Sequence, residues 1–114
     1  LFESEEIIQS LQPDFTVLRS IKETVGVIVT APSTCKDYDF ASRYFAPRIG
    51  IREDHATGSA HCMLIPFWSK RFSKQGLHAI QLSERGGAFY GEDMGEEIVL
   101  RGNAEKFMTG EIRF

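Results

Sequence analysis

The sequence holds only two cysteines, Cys35 and Cys62, with no Cys-x-x-Cys or Cys/His spacing. Two cysteines are too few for a disulfide framework. The sparse usage fits a reducing, cytoplasmic setting. A run of lysines or arginines is also missing, as is any interleaving of basic with aromatic residues. With 13 basic against 16 acidic residues, the formal charge is −3. That balance argues against nucleic acid, whose phosphates demand concentrated positive charge. No apolar run approaches the roughly 20 residues that a bilayer crossing requires. The opening LFESEEIIQS carries acids where a signal peptide has a basic start. Neither a repeat nor a low-complexity linker divides the 114 residues, so residues 1–114 are expected to form one domain.

What is present is ordinary globular patterning, 42% hydrophobic and 25% charged. Ser4 opens a short helix as its N-cap, with Glu5 and Glu6 in the first turn and Ile7, Ile8 and Leu11 on one face; Pro13 ends it. Asp14 begins a second short turn. Val25–Pro32 is rich in β-branched residues and reads as a buried strand. Tyr38–Pro47 alternates as a strand with Phe40, Ser42, Tyr44 and Ala46 on one side. Ser59–Phe72 reads as a helix whose centre, Cys62–Trp68, is apolar without interruption. Such a helix leaves no face for water, so it is expected to be buried, with Cys62 in the core and a kink at Pro66. After Gly76, glycines punctuate short strand-like runs: LHAIQLSE, AFYGED, EEIVLRG and AEKFMTGEIRF. Arg85–Gly87 reads as a hairpin turn. The expected fold is α+β, a curved and mostly antiparallel sheet wrapped round a buried central helix.

The densest chemistry lies in REDHATGSAHC, Arg52 to Cys62. Two readings stand side by side. In the first, the stretch is a helix start: Gly58 turns the chain, Thr57 or Ser59 caps it, and Glu53 and Asp54 face the positive end of the dipole. In the second, the same end is a binding site. Unpaired N–H groups at Thr57, Gly58 and Ser59 would hold a carboxylate or phosphate, and Asp54 at the rim would move a proton. His61 could reach the mouth of such a site, although a packed, hydrogen-bonded histidine fits its position better. A Ser59–His61–Asp54 triad is disfavoured, since neighbours at i and i+2 on a helix point apart. His55 and His61 lack a third ligand for zinc, so no metal is expected.

RYFAPRIGIREDHATGSAHCMLIPFWSKRF closely resembles the phenazine-biosynthesis-type (PhzF-like) isomerase family. The hallmark is Arg43, Phe45, Ala46 and Pro47, then Glu53, Asp54, Thr57, Gly58, Ser59, Ala60 and His61, then Pro66, Phe67 and Trp68. QLSERGG and the closing Gly102, Ala104 and Gly110 match as well, so the resemblance covers nearly the whole chain. It implies the diaminopimelate epimerase-like fold, with two alike domains and an active site between them. It also implies isomerisation by proton transfer without a cofactor. Under it Asp54 and Ser59 are catalytic, and Thr57, Gly58, Ser59 and His61 bind a small carboxylate-bearing substrate. Two departures stand out: His55 replaces the usual proline, and the family's principal glutamate belongs to an N-terminal domain outside these residues.

The resemblance therefore implies a C-terminal half, inactive by itself, whose apolar cleft face is covered by the other domain or by a second copy, with a homo-oligomer expected. Two alternatives remain: a free-standing, non-enzymatic ligand-binding or interaction module, and a racemase or epimerase of the same fold. The latter would use a cysteine pair, which this motif does not carry.

Overall fold

The computed structural model describes residues 1–114. Helices α1 (Glu5–Ser10) and α2 (Phe15–Ser20) precede strands β1 (Val27–Pro32) and β2 (Phe40–Phe45). A 3-10 turn, Pro47–Ile49, leads to α3 (Gly58–Phe72), followed by β3 (Gly76–Gln81), β4 (Gly87–Asp93) and β5 (Ile98–Arg101). The five strands form one sheet in sequence order. The pairs β1–β2, β3–β4 and β4–β5 are antiparallel, while β2–β3 is parallel. The parallel pair follows from α3: two adjacent strands joined by a helical crossover must run the same way. The fold is α+β, with a mixed sheet.

Both short helices are capped as the sequence suggests. Ser4 accepts from the Ile7 amide, and Asp14 accepts from the amides of Thr16 and Val17. Glu5 does more than decorate a surface: its carboxylate accepts from Ser33 Oγ and the Thr34 amide, each at 2.7 Å, pinning α1 to the loop after β1.

The sheet is covered on both faces, by different elements. Phe40, Leu77 and Ala79 pack with Leu64, Ile65 and Trp68 of α3. Val29, Ala31, Ala41 and Phe45 pack with Ile8, backed by Phe15 and Leu18. This explains why β2 departs from simple alternation. Phe40 and Ser42 face α3 while Ala41 and Phe45 face α1 and α2, and all four are buried. Each fully buried large side chain contributes roughly 1.5–3 kcal/mol. Phe40 and Trp68 stack at 5.6 Å, and Trp68 Nε1 donates to Thr30 Oγ1 at 2.9 Å, so the indole is both packed and satisfied.

Three expectations need correction. Helix α3 is not covered all round. Ala60, His61, Leu64, Ile65 and Trp68 are buried, but Met63 is 61% exposed and Phe67 39%. The sheet covers one side only, and the other is left open. Cys62 lies on that open side and is an exposed free thiol, as is Cys35, so neither is core nor bridged. The last run, AEKFMTGEIRF, forms no strand. Residues 102–114 carry no regular structure, and Phe107 and Phe114 are fully exposed, because no strand of this chain pairs with them. The hairpin at Arg85–Gly87 does form, with Gly86 at φ 74° and Gly87 starting β4.

Candidate functional site

The crossover places the N-terminus of α3 above the C-terminal ends of β2 and β3. The loop from Glu53 to Thr57 arrives there and is tied at nearly every residue. Arg43 of β2 grips Glu53 through two parallel hydrogen bonds, Nε to Oε1 at 2.7 Å and Nη2 to Oε2 at 2.9 Å. The Asp54 amide donates to Tyr44 O at 3.0 Å. Ser83 Oγ donates to His55 O at 2.9 Å. The loop thus needs no proline at position 55: side chains of β2, β3 and the turn after β3 hold it. Arg43 also consumes Glu53, so Asp54 is the one acid of the pair still available.

Asp54 is half-buried. Its Oδ2 accepts from Thr57 Oγ1 at 2.6 Å, while Oδ1 accepts nothing from the chain. Beneath it lies Gln81, only 1% exposed. Gln81 Oε1 accepts from the Thr57 amide at 2.8 Å, and Nε2 donates to Asp54 O at 2.7 Å and to Thr57 Oγ1 at 3.0 Å. The sequence reading did not single out Gln81. A signal was present: Leu77, Ala79 and Gln81 alternate on the face turned to α3, and a polar end to an inward series requires partners.

Thr57 occupies the N-cap position of α3, yet its side chain makes no capping bond. Its hydroxyl is spent on Asp54 and Gln81 instead. The amides of Gly58, Ser59 and Ala60 therefore have no partner in the chain. They form the positive end of a 15-residue helix, suited to an anion. Ser59 is exposed and its hydroxyl is unengaged.

The structure brings Asp54, Thr57, Gly58 and Ser59 together at this end. It does not bring His61 to the mouth. His61 is fully buried, stacked against Phe89 at 3.9 Å and near Phe40 at 6.0 Å. Its Nδ1 lies 2.8 Å from Thr57 O. Since a carbonyl can only accept, Nδ1 carries a proton. Burial holds its pKa below the ordinary 6.5, with the bond to Thr57 opposing. His61 thus supports Thr57 from below and does not face a ligand. Its Nε2, and Ser42 Oγ across from Gln81, are the buried side-chain polar atoms without a partner. His55 is exposed and makes only its backbone contact. No group of three or more His, Cys, Asp or Glu side chains is placed to hold a metal ion. No helix is long and apolar enough to cross a membrane.

The description of the phenazine biosynthesis-like family, PhzC-PhzF, fits residues 1–110. The chain belongs to that family. Among its PhzF-like relatives, a protein named as an uncharacterized isomerase of Pseudomonas aeruginosa is 46% identical over 113 residues, which is 99% of this chain and 42% of the relative. Another protein so named, from Halalkalibacterium halodurans, is 40% identical over 96% of this chain and 41% of its own length. A PhzF family crystal structure from Enterococcus faecalis superposes with a TM-score of 0.87 at 40% identity, covering 99% of this chain and 43% of that one. A PhzC/PhzF structure from Clostridium difficile gives 0.78 at 37% identity. The chain spans about two-fifths of the length of these relatives.

Proposed function

We propose that this chain forms one half of the cleft of a PhzF-like isomerase, corresponding to the C-terminal domain of a two-domain protein. The reaction is a proton transfer without a cofactor, on a small substrate that bears a carboxylate. The amides at Gly58 and Ser59, with the Ser59 hydroxyl, hold the carboxylate. Asp54 presents its free Oδ1 to the migrating proton. His61, placed in the binding set by the family resemblance, is a support of Thr57 in this reading.

The observation that carries the reading is the uncapped end of α3 beside a half-engaged acid. Gly58 strengthens it. Its φ is not left-handed and, its chain neighbours and the helix's own backbone aside, no atom lies within 4 Å of where a Cβ would stand. Neither conformation nor packing in this chain explains a glycine there. A ligand lying against the backbone does. Relatives named as isomerases support the class of activity.

The second half of the cleft comes from the other domain or from a second copy. Met63 and Phe67, exposed one turn apart on α3, supply an apolar face for it. The alternative is a ligand-binding module that keeps the anion site without the chemistry. The free Oδ1 of Asp54 favours the enzyme, since anion binding gains nothing from a carboxylate at the rim.

The test is solvent deuterium uptake into candidate substrates by the complete protein. Asp54→Asn and Ser59→Ala should each slow uptake on the order of 10²-fold. Near-normal uptake in both variants would remove the site assignment. Unchanged ligand binding with no uptake in any variant would favour the module.

A further inference from the structure

We propose that Gln81 is a positioning residue for the proton transfer, fixing the direction of a hydrogen-bond relay that ends on Asp54. The proposal rests on the reading of Asp54 as the acid/base group.

The orientation of the Gln81 amide is not a free choice. The Thr57 amide can only donate, so the Gln81 atom facing it at 2.8 Å is the oxygen. The Asp54 carbonyl can only accept, so the atom facing it at 2.7 Å is the nitrogen. Two backbone groups of fixed polarity thus lock the amide against a flip. The second N–H of Nε2 then meets Thr57 Oγ1 at 3.0 Å and occupies a lone pair there. The Thr57 hydroxyl proton is left to point the other way, onto Asp54 Oδ2 at 2.6 Å. Donation runs in one direction, from Gln81 through Thr57 to Asp54. The relay occupies Oδ2 and leaves Oδ1 as the oxygen free to take a proton. Gln81 is buried and every polar atom of its side chain is used, so it does not itself touch substrate.

Gln81→Glu keeps the shape and the acceptor for the Thr57 amide but removes both N–H donors. The Thr57 hydroxyl is then drawn toward residue 81, and the relay reverses. Gln81→Met keeps the length and removes every polar contact, should the added charge prevent folding. The readout on this chain is the carboxyl carbon resonance of Asp54 at neutral pH, compared with the amide fingerprint of Leu64, Trp68 and Leu77.

The expected result is a displaced Asp54 resonance with the core fingerprint preserved, reproduced by Thr57→Val. No displacement at Asp54 overturns the relay. So does a change spread evenly over the core, which would mark Gln81 as a packing residue, or a Thr57→Val variant that leaves Asp54 unmoved. In the active assembly, Gln81→Glu should lower kcat on the order of 10²-fold, as for a misplaced catalytic group, with KM little changed. A loss confined to KM, or no loss, overturns the proposal. The resonance measurement needs no substrate. If Asp54→Asn retains activity while the relay is seen, the functional reading fails and takes the positioning role with it, leaving the relay as a structural contact. If Asp54→Asn is dead while Gln81→Glu turns over normally, only the positioning role fails.

Discussion

Arg43 and Glu53 meet fork to fork, and the remaining terminal nitrogen of Arg43 donates to Ile8 O, Gln9 O and Leu11 O at 2.8, 3.2 and 3.0 Å. One guanidinium therefore fastens two things to β2: the C-terminal end of α1 and the loop that carries Asp54. Removing it with Arg43→Met strands a partly buried carboxylate and three carbonyls. The expected loss is about 1–3 kcal/mol in urea unfolding. Arg43→Lys should recover only part, because an ammonium cannot reproduce the fork. An unchanged midpoint for Arg43→Met would mean that the ion pair is a surface ornament.

Two glycines should respond in opposite ways. A Cβ on Gly91 of β4 would overlap the side chain of Ile65 on α3. Gly91→Ala should therefore cost about 1–3 kcal/mol as an overpacked core does, and Ile65→Val should relieve it in part. Gly58→Ala should leave the unfolding midpoint where it is or raise it slightly. Ligand binding should nevertheless fall, because the new methyl enters the cleft. Equal effects of the two substitutions on stability would contradict the open space at Gly58.

The buried neutral imidazole of His61 sets a pH dependence. Its pKa in the folded chain is depressed by burial, so the unfolded chain binds a proton more readily. Stability is then complete above about 6.5, the unfolded value, and declines as the pH falls below it. His61→Phe keeps an aromatic ring between Phe40 and Phe89 and should flatten that decline. Urea midpoints at pH 7 and pH 5 provide the measurement. A steeper decline in the variant would refute the assignment.

The open side of α3 predicts association. Met63 and Phe67 lie next to each other along that side, backed by Arg71 over the Phe67 ring at 5.3 Å. The chain by itself should show a mass that rises with concentration in light scattering, and Phe67→Glu should hold it monomeric. A chain that is monomeric at every concentration would count against a covered face.

Much of this architecture is legible in the sequence. Ser4 and Asp14 announce their helices, and the β-branched run announces β1. The Thr-Gly-Ser turn announces the start of α3. What stays hidden depends on partners far along the chain. Nothing local says that Arg43 will find Glu53 or that Gln81 will rise under Thr57, because the sheet register brings them together. The error at Cys62 has a different origin. An unbroken apolar run indicates that a helix is covered, but not by which polypeptide segment. In this chain the sheet supplies one side and leaves Cys62, Met63 and Phe67 facing outward.

The β2–α3–β3 crossover also bears on inheritance. Arg43, Asp54, Thr57, Ser59, His61 and Gln81 all lie between the start of β2 and the end of β3. The half-site is a single continuous stretch of the polypeptide. Exchanging that stretch between relatives needs only two junctions, one in the loop before β2 and one in the hairpin after β3. Such chimeras should transfer the donor's preferences as a block where the recipient keeps Phe89 beside His61 and Gly91 beside Ile65.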